Sequence, residues 1–356
     1  MKVNPGVASA EKVVSDLYAH LPGSLEPLGG FESEVFAFAT PQGKAILKII
    51  SPQHRTARQV QAEVDWLLAL AAAHLPVARP LPTLAGTYVT ELPSGEVVVA
   101  FERAPGATTR PEQWTASRKR SWGELLGRLQ AHSRSWEAPG PHRPRLWEQS
   151  YLKRLEEFTA KDPEFVQAAT RMATKARAAL TGDEGLIHAD LHQGNLLLDG
   201  ESWTAIDFDD CAYGPYAFDL AMPIFYALLP QRERPAEEVD AEFLPPFLEG
   251  FLLHEPLPGG GAEAIAAALA VRQIELVLVL HIKLPADGWS ERHVQLEPTT
   301  MGIDTGKKRL DRQDLAQYAH PQEGVDTLKD AHPYSSEPPS GVSDKKHHRS
   351  SRESGS

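Results

Sequence analysis

Three shortages in the 356-residue chain each exclude something. There is a single cysteine, Cys211, so no disulfide can close within the chain and a reducing compartment is expected. Its expected role is that of a small buried side chain. Long apolar runs are missing, so no membrane-spanning helix is expected, and no basic-then-apolar leader opens the chain. Basic charge is also scarce: 36 Lys and Arg against 48 Asp and Glu leave a net charge of −12. That balance disfavours nucleic acid or an anionic membrane as partner and suits a cationic small molecule. A cytoplasmic protein is the expectation. What the chain does have is 42% apolar residues and seven tryptophans, enough for a packed globule, at a length that favours two lobes.

The most informative stretch runs from Gly185 to Gly200, holding His188, Asp190, His192 and Asn195, and is followed by Ala205-Ile-Asp207-Phe-Asp-Asp210. Asp199-Gly200 between two short apolar runs signals a hairpin. Pairing Leu198 with Trp203 sets Asn195 opposite Ile206 and diagonal to Asp207, roughly 7–8 Å away at Cα, near enough to share one cation. Asp190 stands on the loop entering the first strand. Three oxygen-bearing side chains thus converge at one end of a hairpin, a way to hold Mg²⁺ beside a general base.

Upstream, residues 25–50 read as three short strands, with Gly29-Gly30-Phe31-Glu32-Ser33 as the first turn. Glycines there let backbone N–H groups approach a triphosphate, which makes Gly30 and Ser33 candidates for nucleotide contact. Along the third strand Ile46, Lys48 and Ile50 share one face. A lysine flanked by isoleucines needs a partner, and Glu63 in the Val60–Val64–Leu67 stripe of a helix over 55–73 needs one too; a salt bridge between them satisfies both. A second hairpin spans Thr87–Glu91 and Glu96–Phe101, and Ala104-Pro105-Gly106 marks a hinge. Helices are expected over 118–136, 148–160, 164–180, 217–229, 240–253 and 262–283, the fifth kinked or restarted at Pro245-Pro246. Beyond 300 the polar composition predicts disorder.

In this order, glycine turn, strand Lys48, helix Glu63, the segment Val97–Arg103, His188-x-Asp190-x4-Asn195, Ile206-Asp207 and then Gly214-Pro215…Asp219, the chain resembles the aminoglycoside phosphotransferase and choline kinase-like family of small-molecule kinases over residues 20–285. The resemblance implies an α+β, protein-kinase-like bilobal fold. Its N-lobe, 1–102, would be a small antiparallel sheet with one helix; the C-lobe, 103–300, would be mainly helical, leaving 301–356 as a tail. It further implies ATP and Mg²⁺ as cofactors, Asp190 as base, Asn195 and Asp207 as metal ligands, and Lys48 on the phosphates with Glu63 orienting it. His188 would brace the loop, Asp219 would tether it, and main-chain groups near Phe101–Arg103 would hold adenine.

Two departures from protein kinases bear on the acceptor. Position 209 is Asp where those enzymes have Gly, and Ala-Pro-Glu is missing. Only eleven residues separate Asp207 from Asp219, too few for a long peptide-presenting loop. The reading is therefore phosphoryl transfer to a hydroxyl of a small, amine-bearing molecule; homoserine-like, choline-like and aminoglycoside-like acceptors all satisfy it. A serine/threonine protein kinase of the same fold is the alternative. An inactive nucleotide-binding module is another, though every catalytic position holds the required residue type. A metal-hydrolase reading of His188, Asp190 and His192 lacks further ligands and leaves Lys48, Glu63 and Asn195 unused.

Overall fold

The computed structural model describes residues 5–283, apart from 31, 139–142, 160–161 and 232–233. The expected disorder of 301–356 therefore lies outside the described residues. The first third holds α1 (Pro5–Leu17), β1 (Glu26–Gly29), β2 (Ser33–Thr40), β3 (Gly43–Ile50), α2 (Ala57–Ala72), β4 (Pro80–Leu81), β5 (Val89–Glu91) and β6 (Val97–Glu102). Its sheet is antiparallel in the order β1-β2-β3-β6-β4, with β5 also paired to β6. Alternation along β3 sends Ala45, Leu47 and Ile49 to one face and Lys48 and Ile50 to the other, as period two demands.

Two helices cover this sheet, not the one expected. Ala10, Val13 and Val14 of α1 pack on Phe36, Phe38, Leu47 and Val98. Their spacing is that of a single helical stripe, and its partner is a sheet face that would otherwise lie open. On the opposite face lies α2, begun by a capping box in which Thr56 and Gln59 exchange hydrogen bonds.

The remainder is mainly helical: α3 (Ala116–Ser135), α4 (Leu146–Gln149), α5 (Pro163–Ala179), α6 (Tyr216–Leu228), α7 (Ala236–Phe251) and α8 (Gly261–Lys283). Between them lie the strands β7 (Glu184–Ile187), β8 (Leu196–Asp199), β9 (Ser202–Ala205) and β10 (Ala212–Pro215). The helix expected over 148–160 is instead a single turn, α4, followed by a 3₁₀ segment at Tyr151–Phe158. One continuous core joins Val60, Trp66 and Leu67 of α2 to Trp122, Phe208, Phe218 and Phe247. Among the described residues, no helix is long and apolar enough to cross a membrane.

The helix does not restart at Pro245-Pro246: α7 is continuous through both. Pro246 cannot donate to the carbonyl of Glu242, but Lys119 Nζ donates to it at 2.9 Å. The helix is also pinned against α3. A Cβ on Gly123 would stand 1.8 Å from the Phe247 carbonyl oxygen, and one on Gly250 would stand 1.9 Å from that of Arg120. Only glycine permits so close an approach.

Candidate active site

The β8–β9 hairpin has the expected register, Leu198 against Trp203, and the Ile206 N–H donates to the Asn195 carbonyl at 3.0 Å. The base loop, leaving β7, is fastened from behind. Buried Asp219 accepts the N–H groups of His188 (3.1 Å) and Ala189 (2.9 Å). His188, wholly buried, has Nε2 3.1 Å from the Ile206 carbonyl and accepts the Asp190 N–H at Nδ1 (3.3 Å). Burial holds its pKa below the usual value, so the ring is neutral and carries its proton on Nε2, facing that carbonyl. Two non-glycine residues here have left-handed backbones, Ala189 (φ 66°) and Asp207 (φ 60°). Each such conformation costs on the order of 1 kcal/mol and persists because these bonds hold it.

Asp190 has partners on both oxygens. Oδ2 accepts Asn195 Nδ2 at 3.2 Å and lies 3.4 Å from His192 Nε2; Oδ1 accepts Arg272 Nη2 at 2.7 Å. Burial pushes the Asp190 carboxyl up, but Arg272, His192 and His188 together outweigh it, and the carboxyl sits below its ordinary range. It is ionised at neutral pH, as a proton acceptor must be.

Lys48 meets Asp207 rather than Glu63, with Nζ 2.5 Å from Oδ1. The expected Lys48–Glu63 salt bridge is thus replaced: Glu63, 2% exposed, has its ion pair with Arg143 at 3.9 Å and acts on Lys48 only through space. Arg143 also donates to the carbonyls of Cys211 (2.7 Å), Gln59 (3.1 Å) and Asp209. A guanidinium offers five donors in a fixed fork and can serve all of these, where an ammonium could not. Burial, and then nearby Asp209, push the Glu63 carboxyl up to about 7. Burial works against the Lys48 ammonium, but Asp207 and the other carboxylates outweigh it and keep it charged.

Asp207 and Asn195 offer the hard oxygen donors that a divalent cation such as Mg²⁺ takes. The Asn195 amide fits that use, since Nδ2 is turned to the Asp190 carbonyl (2.9 Å) and carboxylate, while its oxygen has no hydrogen bond among the described residues.

At the glycine turn, Gly30 has φ 156°, and a Cβ there would stand 1.9 Å from the Ser33 carbonyl oxygen. Ser33 opens β2 opposite Ile50. Glu32 in the same turn reaches His54 Nε2 (2.9 Å), and His54 also meets Asp209 Oδ2 (2.5 Å). Burial disfavours the His54 imidazolium, yet these two carboxylates raise its pKa to about 9. A charged histidine therefore links the turn to the loop beyond Asp207.

On the connector, two of the main-chain donors expected for adenine are already bonded. The N–H of Glu102 goes to Arg79 O (2.8 Å) and that of Arg103 to Lys44 O (2.9 Å). Phe101 is buried, with its ring 5.8 Å from Lys48 Nζ. The next N–H, that of Ala104, has no hydrogen bond among the described residues.

Arg143, His54 and Arg272 escaped the sequence reading. Arg272 lies within α8, donates to Tyr226 Oη, and faces Glu275 at 3.9 Å. Glu275 is buried and accepts Ser150 Oγ at 2.5 Å. A signal was present: Arg272 and Glu275 stand three apart in 264–280, a stretch of α8 whose remaining residues are apolar but for Gln273, and such charges need partners.

Residues 24–260 match the model of the phosphotransferase enzyme family. Amicoumacin kinase of Bacillus subtilis (strain 168) is 27% identical over 266 residues, covering 71% of this chain and 79% of that protein. Stress response kinase A of Escherichia coli (strain K12) is 27% identical over 227 residues, covering 60% and 67%. Among solved structures, amicoumacin kinase hAmiN in complex with AMP-PNP, Ca²⁺ and Ami superposes with a TM-score of 0.76 at 24% identity, covering 84% of this chain and 93% of that one. The microcompartment-associated aminopropanol kinase gives 0.65 at 21% identity, covering 88% and 98%. These superpositions establish the fold, α+β and bilobal like the kinases, and the match of sequence across two thirds of the chain establishes the rest: the chain belongs to the phosphotransferase enzyme family and is a small-molecule kinase with an alcohol group as acceptor.

Proposed function

We propose that the protein transfers the γ-phosphate of ATP, with Mg²⁺, to a hydroxyl of a small, amine-bearing molecule. The observation that carries this reading is the convergence of Asp190, Asn195, Asp207 and Lys48, joined by the 2.5 Å Lys48–Asp207 and 3.2 Å Asn195–Asp190 contacts. Asp190 accepts the proton of the acceptor hydroxyl, and Lys48 presents its ammonium to the nucleotide phosphates. Asn195 and Asp207 would hold the Mg²⁺, which when bound neutralises charge on those phosphates. Gly30 and Ser33 let the turn's main chain approach them, and Glu63 and Arg143 fix the surroundings of Lys48. Ala104 replaces Arg103 as the main-chain donor for adenine, with Phe101 behind it. The described residues up to 102 would form the nucleotide lobe and those from 103 to 283 the acceptor lobe; the rest of the expected bounds, 1–4 and 284–300, lie outside the described residues.

An amine on the acceptor is supported by the acidic balance of the chain and by relatives named for aminopropanol and choline/ethanolamine. The test is ADP release with Mg-ATP across a panel of amino alcohols, sugars, aminoglycosides and amicoumacin. Saturable turnover of one class is expected. Equal nucleotide affinity with and without Mg²⁺, together with no transfer to any acceptor, would refute the reading.

A further inference from the structure

Arg272 stands between two carboxylates. Its Nη2 donates to Asp190 Oδ1 at 2.7 Å, while its Nη1 faces Glu275 Oε2 at 3.9 Å, one ångström or so beyond a charge-assisted hydrogen bond. Tyr226 props the guanidinium from the side: its hydroxyl accepts from Nη2, and its ring centroid lies 5.2 Å from the guanidinium carbon. Asp190 has no uncommitted oxygen, because Oδ2 is shared by Asn195 and His192. Glu275, in contrast, is buried and accepts from Ser150 Oγ. A guanidinium so placed has a second anion waiting three residues along its own helix. The side chains of Arg272 and Asp190 are 17% and 18% exposed, so a small molecule can reach the contact.

We propose that Arg272 is a positioning residue that occupies Asp190 until an acceptor hydroxyl takes its place, then moves to Glu275, and so keeps the enzyme from spending ATP on water. This rests on the phosphotransferase reading above. In the suppressed side reaction a water oxygen bonds to the γ-phosphorus, the bond from that phosphorus to the β,γ-bridging oxygen breaks, and its electron pair leaves with ADP. The water proton goes to Asp190 Oδ1, and inorganic phosphate is the second product. In the productive reaction the acceptor hydroxyl oxygen forms the new bond and its proton takes the same route. Arg272 on Oδ1 disfavours both, but only an acceptor with further contacts in the site can displace it.

The test is acceptor-free release of phosphate at saturating Mg-ATP, with nucleotide affinity measured on the same samples. Arg272→Gln should raise hydrolysis about tenfold, a small part of what a positioned base can supply. Arg272→Lys, which keeps the cation but not the planar fork against Tyr226, should raise it less than Arg272→Gln does. Tyr226→Phe should give an intermediate rise, and Glu275→Gln a slower rate than the parent, because Arg272 then has no second anion to draw it from Asp190. Damage to the fold lowers rates; it does not raise them in this order. Unchanged or slower hydrolysis in Arg272→Gln with normal nucleotide affinity overturns the proposal, as does an equal rise in Glu275→Gln. Should Arg272→Gln not fold, Tyr226→Phe decides, and no rise there overturns it. Failure of the parent protein to bind Mg-ATP would instead overturn the phosphotransferase reading.

Discussion

The two sides of Asp190 proposed for nucleotide and for acceptor are assembled in different ways. On the nucleotide side, Asn195 and Asp207 come from one short hairpin whose register a tight turn sets, and their spacing follows from strand geometry. On the acceptor side, Arg272, Tyr226 and Glu275 come from α8 and α6, and Ser150 from the residue after α4; each depends on how helices pack. The nucleotide side is locally determined and the acceptor side globally determined. That division suits an enzyme whose similar proteins are named for acceptors as different as amicoumacin and aminopropanol.

The sharpest probe is the residue both sides share. Asp190→Ala should cut turnover about 10³-fold, roughly 4 kcal/mol, while nucleotide affinity measured by calorimetry stays within about twofold. A parallel loss of nucleotide affinity would mean that the two sides are not separable at Asp190. Next is Arg143→Met, which leaves Glu63 buried without its ion pair. A loss of about 3 kcal/mol is expected, seen as a fall in melting temperature of roughly 6–10 °C.

His54 gives a smaller effect with a definite sign. Its pKa is raised to about 9 in the folded protein against roughly 6.5 unfolded. Its stabilisation is therefore complete below about pH 6.5 and is lost as pH rises through 9, worth about 2 kcal/mol after screening. Melting curves from pH 7 to 10 should fall more steeply for the parent than for His54→Gln. Smallest is Asp207→Asn, expected to weaken Mg-nucleotide binding about tenfold, or 1.4 kcal/mol, while acceptor affinity holds. Loss of both together would contradict the division.

Legibility in the sequence follows the same division. The hairpin pairs residues within a dozen positions of each other, so turn chemistry and alternation were enough to set Leu198 against Trp203. The demand that Lys48 have a partner was also readable; which partner was not. Asp207 lies 159 residues away and won because the loop beyond β9 carries it to the lysine, while Arg143 took Glu63. The α1 stripe of Ala10, Val13 and Val14 was readable and overlooked. Pro245-Pro246 misled as to a restart because a local rule about helix donors could not foresee that Lys119, more than a hundred residues earlier, would serve a stranded carbonyl.

The glycine contacts between α3 and α7 have a consequence for the acceptor wall. Packing backbone against backbone leaves no side chain to repack, so this seam works as a datum line from which other positions are measured. Built on that line is α6, which packs against both α7 and α8 and carries Asp219 at one end and Tyr226 near the other. A single methyl added at Gly123 or Gly250 must force the line apart. The displacement would reach Tyr226, and with it the guanidinium of Arg272, without touching any residue that meets a ligand. Tolerance in the acceptor wall is thus set by two hydrogens where side chains would be.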